Sequence, residues 1–284
     1  MGYGGAKPLY PYTLFTSKIT RKTMGLRPDL YAFKKWGQNF ITDPAFLNKL
    51  VRTVNPQKEE TLIEIGPGTG ALTHLFAPLV SKLHAIEIDP RMDEYLNPLA
   101  SEIDSFSYEF SDFLKWSPPA DLGTFRLIGN IPYYITSALI LQAFEHYKQI
   151  TDVHFLMQKE VGKRLVAPHG SKQYGILSVY AALFAKTEYL FDISRNIFHP
   201  IPDVDSCFVR FSFDDERQVS AEMEPHLRQV VRTAFNQRRK TLRNSLKSIL
   251  KEKQPIDQKF DLSLRPEQLP PREFLTLTQI IMDS

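Results

Sequence analysis

Asn130-Ile131-Pro132-Tyr133 places two hydrogen-bond acceptors, a stiff turn and an aromatic ring within four residues. The Asn130 side-chain oxygen and the Ile131 backbone carbonyl can each accept one proton of an exocyclic amine. Such an amine is a poor nucleophile, because its lone pair is delocalised into the ring. Two fixed acceptors favour a pyramidal nitrogen whose lone pair points at a methyl donor. That help is positional and electrostatic and needs no general base. Pro132 stiffens the turn, and Tyr133 offers a ring for stacking a base, worth ~1–3 kcal/mol. A base held there has left its own stack. Taken alone, the tetrapeptide reads first as an ordinary strand-end turn.

Three upstream features change that reading. Gly66-Pro67-Gly68-Thr69-Gly70 sits between an apolar run, Thr61 to Ile65, and an amphipathic one. Glycines there let the backbone approach a ligand more closely than any Cβ allows. The readings are a tight turn, a dinucleotide site, or a site for a nucleoside without pyrophosphate, such as S-adenosylmethionine. GxGxG in place of GxGxxG favours the last. Glu87 and Asp112 each follow an apolar run, at the strand ends where open α/β sheets bind ligands. Glu87 can accept from two ribose hydroxyls, and Asp112 from an adenine amine. Either is otherwise a solvent-facing acid.

A second rigid loop, Phe198-His199-Pro200-Ile201-Pro202, carries an aromatic residue. Phe198 suits either the other face of a flipped base or a plug in the core. His199 has no Ser or Cys partner pattern and stays unassigned. Cys207 reads as a core residue.

The elements that must position these groups follow from apolar periodicity. Asp43-Pro44 opens a helix, with Asp at the N-cap and Pro at the first helical position. Strands are expected at 61–65, 83–88, 106–110, 125–128, 153–157 and 185–191, and helices at 71–80, 137–147, 159–166 and 176–184. Residues 204–213 alternate as an edge or antiparallel strand does. The β-α-β order implies an α/β Rossmann-like sheet, mostly parallel. Beyond Asp214 no strand pattern appears. Two helices, around 227–235 and 242–250, and then short helices and turns are expected. The predicted organisation is a basic N-terminal arm at 1–33, a catalytic domain at 34–213 and a small helical RNA-binding domain at 214–284.

The net charge of +3 is unevenly spread. Residues 1–40 hold seven Lys/Arg against one acid, and Arg228 to Lys251 hold eight and none. Basic flanks suggest a polyanion partner, although a run such as Arg238-Arg239-Lys240 with Arg243 also suits a solvated helix face. The arm is read as flexible, with an organelle transit peptide as the alternative. The single cysteine excludes an internal disulfide framework and fits a reducing, cytoplasmic setting. No Cys/His spacing suggests a metal, and no apolar run reaches the ~18 residues of a membrane span.

Seven segments together resemble the KsgA-type ribosomal RNA adenine dimethyltransferases, a family close to the Erm methyltransferases. They are Gly-Gln-Asn-Phe at 37–40, Glu-Ile-Gly-Pro-Gly-Thr-Gly at 64–70, Glu-Ile-Asp at 87–89, Asn-Ile-Pro-Tyr at 130–133, Gln-Lys-Glu-Val at 158–161, Phe-His-Pro-Ile-Pro-Asp-Val-Asp-Ser at 198–206 and Arg-Arg-Lys-Thr-Leu-Arg-Asn-Ser-Leu at 238–246. The resemblance spans Lys34 to Leu250. It implies S-adenosylmethionine as methyl donor and dimethylation of the N6 amines of two adjacent adenines near the 3′ end of 16S rRNA, on an immature 30S subunit. It implies that Gln38, Asn39 and Ile41 line the methionine side of the cofactor, Gly66 and Gly68 its cradle, Glu87 the ribose and Asp112 the adenine. Asn130 would be shared between cofactor and target amine, with Tyr133 and Phe198 around the target base. Trp36, Tyr134 and the long arm depart from the usual pattern, and Tyr134 leaves open which ring stacks on the base. The rivals are an Erm-like large-subunit rRNA methyltransferase and a non-catalytic ribosome-assembly factor. A monomer suffices for all three.

Overall fold

A seven-stranded sheet carries the molecule. The computed structural model describes residues 39–41, 43–213, 219–250 and 260–283. The arm at 1–33, Trp36 and Gln38 lie outside them. The parallel strands are β2 (Thr61–Ile65), β3 (Lys82–Glu87), β4 (Phe106–Phe110), β5 (Phe125–Asn130) and β6 (Ile150–Gln158). β9 (Ser206–Ser212) runs antiparallel between β6 and β7 (Lys186–Ile193). The alternation at 204–213 therefore marks an antiparallel strand, and the edge falls to β7. Cys207, Val209 and Phe211 enter one core cluster while Phe208 enters the other, so both faces of β9 are covered.

In the strand order β4-β3-β2-β5-β6-β9-β7 the progression reverses between the parallel neighbours β2 and β5, which makes their carboxyl ends the switch point of the sheet. The helix α1 (Pro44–Val54) leads into it. The Asp43 carboxylate accepts from the Phe46 amide at 2.9 Å, and Asn55 at φ 50° ends the helix. Leu47, Leu50, Val51 and Val54 bury its apolar side. Arg126 on β5 holds its far end. It donates to both oxygens of buried Asp152, at 2.7 and 2.9 Å, and to the Val54 carbonyl at 2.8 Å.

After the glycine turn the expected ten-residue helix is shorter. One α turn, α2 (Thr73–Phe76), passes into a 3-10 turn over Ala77–Leu79, where Pro78 interrupts the pattern. The helix α3 (Asp93–Glu102) has no counterpart in the sequence reading, its apolar period being broken by Pro98. α4 (Thr136–Glu145), α5 (Lys159–Leu165) and α6 (Ile176–Phe184) fall within a few residues of expectation.

The helical tail consists of α7 (Met223–Asn236), α8 (Leu242–Ser245) and α9 (Pro271–Met282). α8 is only one turn, and the Leu242 and Arg243 amides at its start bond to the Leu264 and Leu262 carbonyls. α9 runs twelve residues. Pro271 begins it without harm, since the first helical residue needs no amide donor. Val230, Val231, Phe274 and Leu277 share one apolar cluster with Phe144 of α4 and Phe155 of β6. The tail thus packs onto the sheet's own core. No helix among the described residues is long and apolar enough to cross a membrane.

Candidate active site

The glycine turn follows β2 because no side chain fits its path. Gly66, Gly68 and Gly70 have φ of 63°, 58° and 80°. A Cβ on Gly68 would stand 2.8 Å from the Phe40 ring, and one on Gly70 would stand 2.3 Å from Leu99. Gly66 faces open space. That space belongs to a cavity of about 1000 Å³, its open mouth included. Asn39, Ile41, Gly66, Gly68, Glu87, Asp112, Asn130, Ile131, Pro132 and Tyr133 all line it. Residues from five separate chain segments therefore meet, and ten of the predicted site residues face one space.

Glu87 ends β3 and is 3% exposed. Its Oε2 accepts from the Gly68 amide at 3.0 Å, and its Oε1 accepts from the Ile88 and Asp89 amides at 2.9 Å. Burial raises its pKa, and those three amides oppose the rise. Asp112 uses Oδ1 to accept from the Leu114 amide at 3.0 Å, which fixes the carboxylate at the cavity wall.

Asn130 ends β5. Its Nδ2 donates to the Asn39 carbonyl at 2.7 Å. The amide's donor side is thereby turned toward the β1 segment (Phe40–Ile41), and Oδ1 remains as the acceptor side. The Ile131 amide donates to the Leu156 carbonyl at 2.9 Å and locks the next residue to β6. Tyr133 bonds through its hydroxyl to Ser206 on β9 at 2.7 Å. Burial raises the phenol's pKa, and the Ser206 bond opposes that rise. Tyr134 also lines the cavity but is 58% exposed.

Phe198 does not line the cavity. It is 2% exposed, within the apolar cluster that holds Ile41, Leu47 and Phe208. Its strand, β8 (Phe198–His199), pairs with β1, with Ile41 opposite Phe198. Of the two readings of this residue, the structure takes the core plug: an apolar ring gains more from that packing than from a wet mouth.

Two residues that bear on the site escaped the sequence reading: Glu64 of the cavity lining, and Ser206 behind Tyr133. Glu64 on β2 is 1% exposed and accepts from the Thr73 hydroxyl at 2.7 Å. Burial pushes its carboxyl up to about 8. An acid inside an otherwise apolar strand was the available signal. Ser206, which anchors Tyr133 although seventy-three residues away, had none.

Of the basic run, Arg239, Lys240 and Arg243 are exposed. Arg238 is engaged: it donates to Glu267 at 2.9 Å and to the Ser171 carbonyl at 3.2 Å. It clasps the loop before α6 to the segment before α9.

A sheet with one antiparallel strand between β6 and β7, and a glycine-lined cavity at its switch point, is that of a Rossmann-like methyltransferase. A dimethyladenosine transferase from Plasmodium falciparum superposes with a TM-score of 0.72 at 25% identity, over 84% of this chain and 95% of that one. The 23S rRNA methyltransferase ErmE shares the fold, with a TM-score of 0.66 at 23% identity, over 86% and 100% of the two chains. In sequence, the chain is 34% identical over 261 residues to ribosomal RNA small subunit methyltransferase A of Marinobacter nauticus, covering 89% of this chain and 92% of that protein. The Legionella pneumophila (strain Lens) protein of the same name is 36% identical over 253 residues, covering 87% and 97%. The family model for ribosomal RNA adenine dimethylase matches residues 32–283. The chain belongs to the ribosomal RNA adenine dimethylase family.

Proposed function

We propose that this protein dimethylates the N6 amines of two adjacent adenines near the 3′ end of 16S rRNA, using S-adenosylmethionine, as part of small-subunit maturation. The observation that carries this reading is the orientation of the Asn130 amide. Its donor side is held by the Asn39 carbonyl, so its oxygen is left to accept from an amine entering the cavity.

The residues present fit the cofactor. Gly66 offers backbone with nothing within 4 Å of its missing Cβ, and Glu87 and Asp112 bring carboxylates to the same wall. When bound, S-adenosylmethionine supplies an electrophilic methyl group. Asn39, Ile41, Gly66, Gly68, Glu87 and Asp112 would hold it; Gln38, assigned with them, lies outside the described residues. Asn130 Oδ1 and the Ile131 carbonyl orient the target amine. Tyr133, pinned by Ser206, walls the pocket that takes the flipped base. Arg239, Lys240 and Arg243 bind rRNA phosphates from a C-terminal RNA-binding unit at 214–284, beside a catalytic unit at 34–213. The protein acts as a cytoplasmic monomer on the immature 30S subunit.

Incubation with tritiated S-adenosylmethionine and undermethylated 30S or 50S subunits tests this. Dimethyladenosine in small-subunit RNA is expected. Label on large-subunit RNA alone would move the protein to an Erm-like role, and no label at all would leave an assembly factor.

A further inference from the structure

Six large apolar side chains are exposed among the described residues: Ile88, Phe110, Tyr134, Val166, Ile201 and Val204. Scattered singly they would need no explanation. Five of them fall in chain segments around the cavity, and only Val166, at the end of α5, lies apart. Ile88 and Tyr134 line the cavity itself, and Phe110 immediately precedes its residues Ser111 and Asp112. Ile201 and Val204 sit on the loop from 200 to 205, and both ends of that loop are fastened to cavity-lining residues. At one end β8 pairs with Phe40 and Ile41. At the other, Ser206 bonds to Tyr133.

The loop is built to hold its tip outward. Pro200 and Pro202 restrict its backbone. The Asp205 carboxylate accepts from the Arg195 amide at 3.1 Å, the Asp203 carbonyl accepts from the Arg195 guanidinium at 3.0 Å, and the Asp205 carbonyl accepts from the Lys159 amide at 3.0 Å. Ile201 is nevertheless 60% exposed and Val204 43% exposed. A rigid tip that presents two aliphatic side chains to water, with both of its anchors on the cavity lining, is poorly suited to phosphate. It suits the flat apolar face of an unstacked base.

We propose that Ile201 and Val204, with Tyr134, form a docking ledge for the nucleobase adjoining the adenine in the cavity, so that base contact falls to this rim and phosphate contact to the basic tail. This rests on the rRNA reading above. The ledge engages the neighbour only once the target has left the helix, and so it favours the flipped state.

The test uses undermethylated 30S subunits reconstituted with 2-aminopurine beside the target adenine, whose fluorescence rises when the base leaves its stack. The intact protein should change that signal. Ile201→Ser and Val204→Ser should each weaken subunit binding roughly fivefold, as partial loss of one buried aliphatic side chain predicts. Together they should abolish the fluorescence change, with the salt dependence of binding unaltered. Phe110→Ser, on the cofactor side of the rim, should leave both readouts as they were. An unchanged affinity overturns the ledge. So does a weakened affinity with the fluorescence change intact, which would mean that the surface meets a ribosomal protein. Methyl transfer by the intact protein to the same subunits checks the underlying reading separately.

Discussion

Asn130→Ala removes the acceptor on which the proposed chemistry turns, and the structure separates its two consequences. The first is catalytic. Asn130 Oδ1 is a preorganised partner for the reacting amine, held in place by the 2.7 Å bond from Nδ2 to the Asn39 carbonyl. Loss of one such oriented group lowers the chemical step by ~10²–10³, or about 2.7–4 kcal/mol. The second is structural. The bond to the Asn39 carbonyl is lost in a part-buried setting, which costs about 0.5–1.5 kcal/mol and lowers Tm by ~2–4 °C per kcal/mol in a chain approaching this size. Single-turnover transfer of tritiated methyl groups to 30S subunits reads the first effect, calorimetric titration reads cofactor affinity, and a thermal melt reads the second. The expected result is a large loss of rate, a change in cofactor affinity of less than tenfold, and a melt lowered by a few degrees. Dimethylation at the normal rate would refute the assignment of Asn130. Loss of cofactor binding in proportion to rate would mean that Asn130 serves the donor alone.

Three further outcomes follow from the site and its surroundings. Tyr133→Phe and Ser206→Ala should each raise KM for the subunit severalfold, and the double variant should be no worse than either single one, because both cut the same 2.7 Å bond; additive losses would show that the two residues act apart. Arg239→Ala and Lys240→Ala should each reduce the salt slope of 30S binding by roughly one, whereas Arg238→Ala should lower Tm and leave the slope alone, an effect that Glu267→Ala should reproduce. Glu64 carries a raised pKa in the fold, about 8 against 4.5, so the native state binds its proton more tightly than the unfolded chain does. Stability of the unliganded protein should therefore fall as pH climbs from 4.5 toward 8 and level off above, and Glu64→Gln should flatten that decline in thermal melts; an identical decline would place the titration elsewhere.

Most of the cavity lining was legible because it follows local rules. A glycine turn needs positive φ wherever it occurs, acids at strand ends face the ligand edge of a parallel sheet, and Asn-Ile-Pro-Tyr carries its acceptors within itself. The helix at Asp43-Pro44, the strands at 61–65 and 106–110 and the helix at 176–184 needed no more than caps and periodicity. What stayed open or was misread was nonlocal. The 204–213 alternation fits an edge strand and an inserted one equally, and only pairing with both β6 and β7 decides between them. Phe198 has the residue type of a stacking ring, but β1 pairs with its strand and the ring lies in the core. Arg238 has the charge of a phosphate ligand, but Glu267, twenty-nine residues on, claims it.

By itself, then, the amino-acid order determined the chemistry on offer: which atoms accept, which turns bend, which segments alternate. The tertiary structure alone decided how those groups are turned. It points the Asn130 amide by giving its donor side to Asn39, ninety-one residues away, and pins Tyr133 from β9. It also raises the Glu64 pKa by burying the carboxyl. Apolar spacing shows which face of an element is buried, but not how deeply a given polar group is buried or which residue partners it across the sheet, and these set a carboxyl's protonation and an amide's orientation.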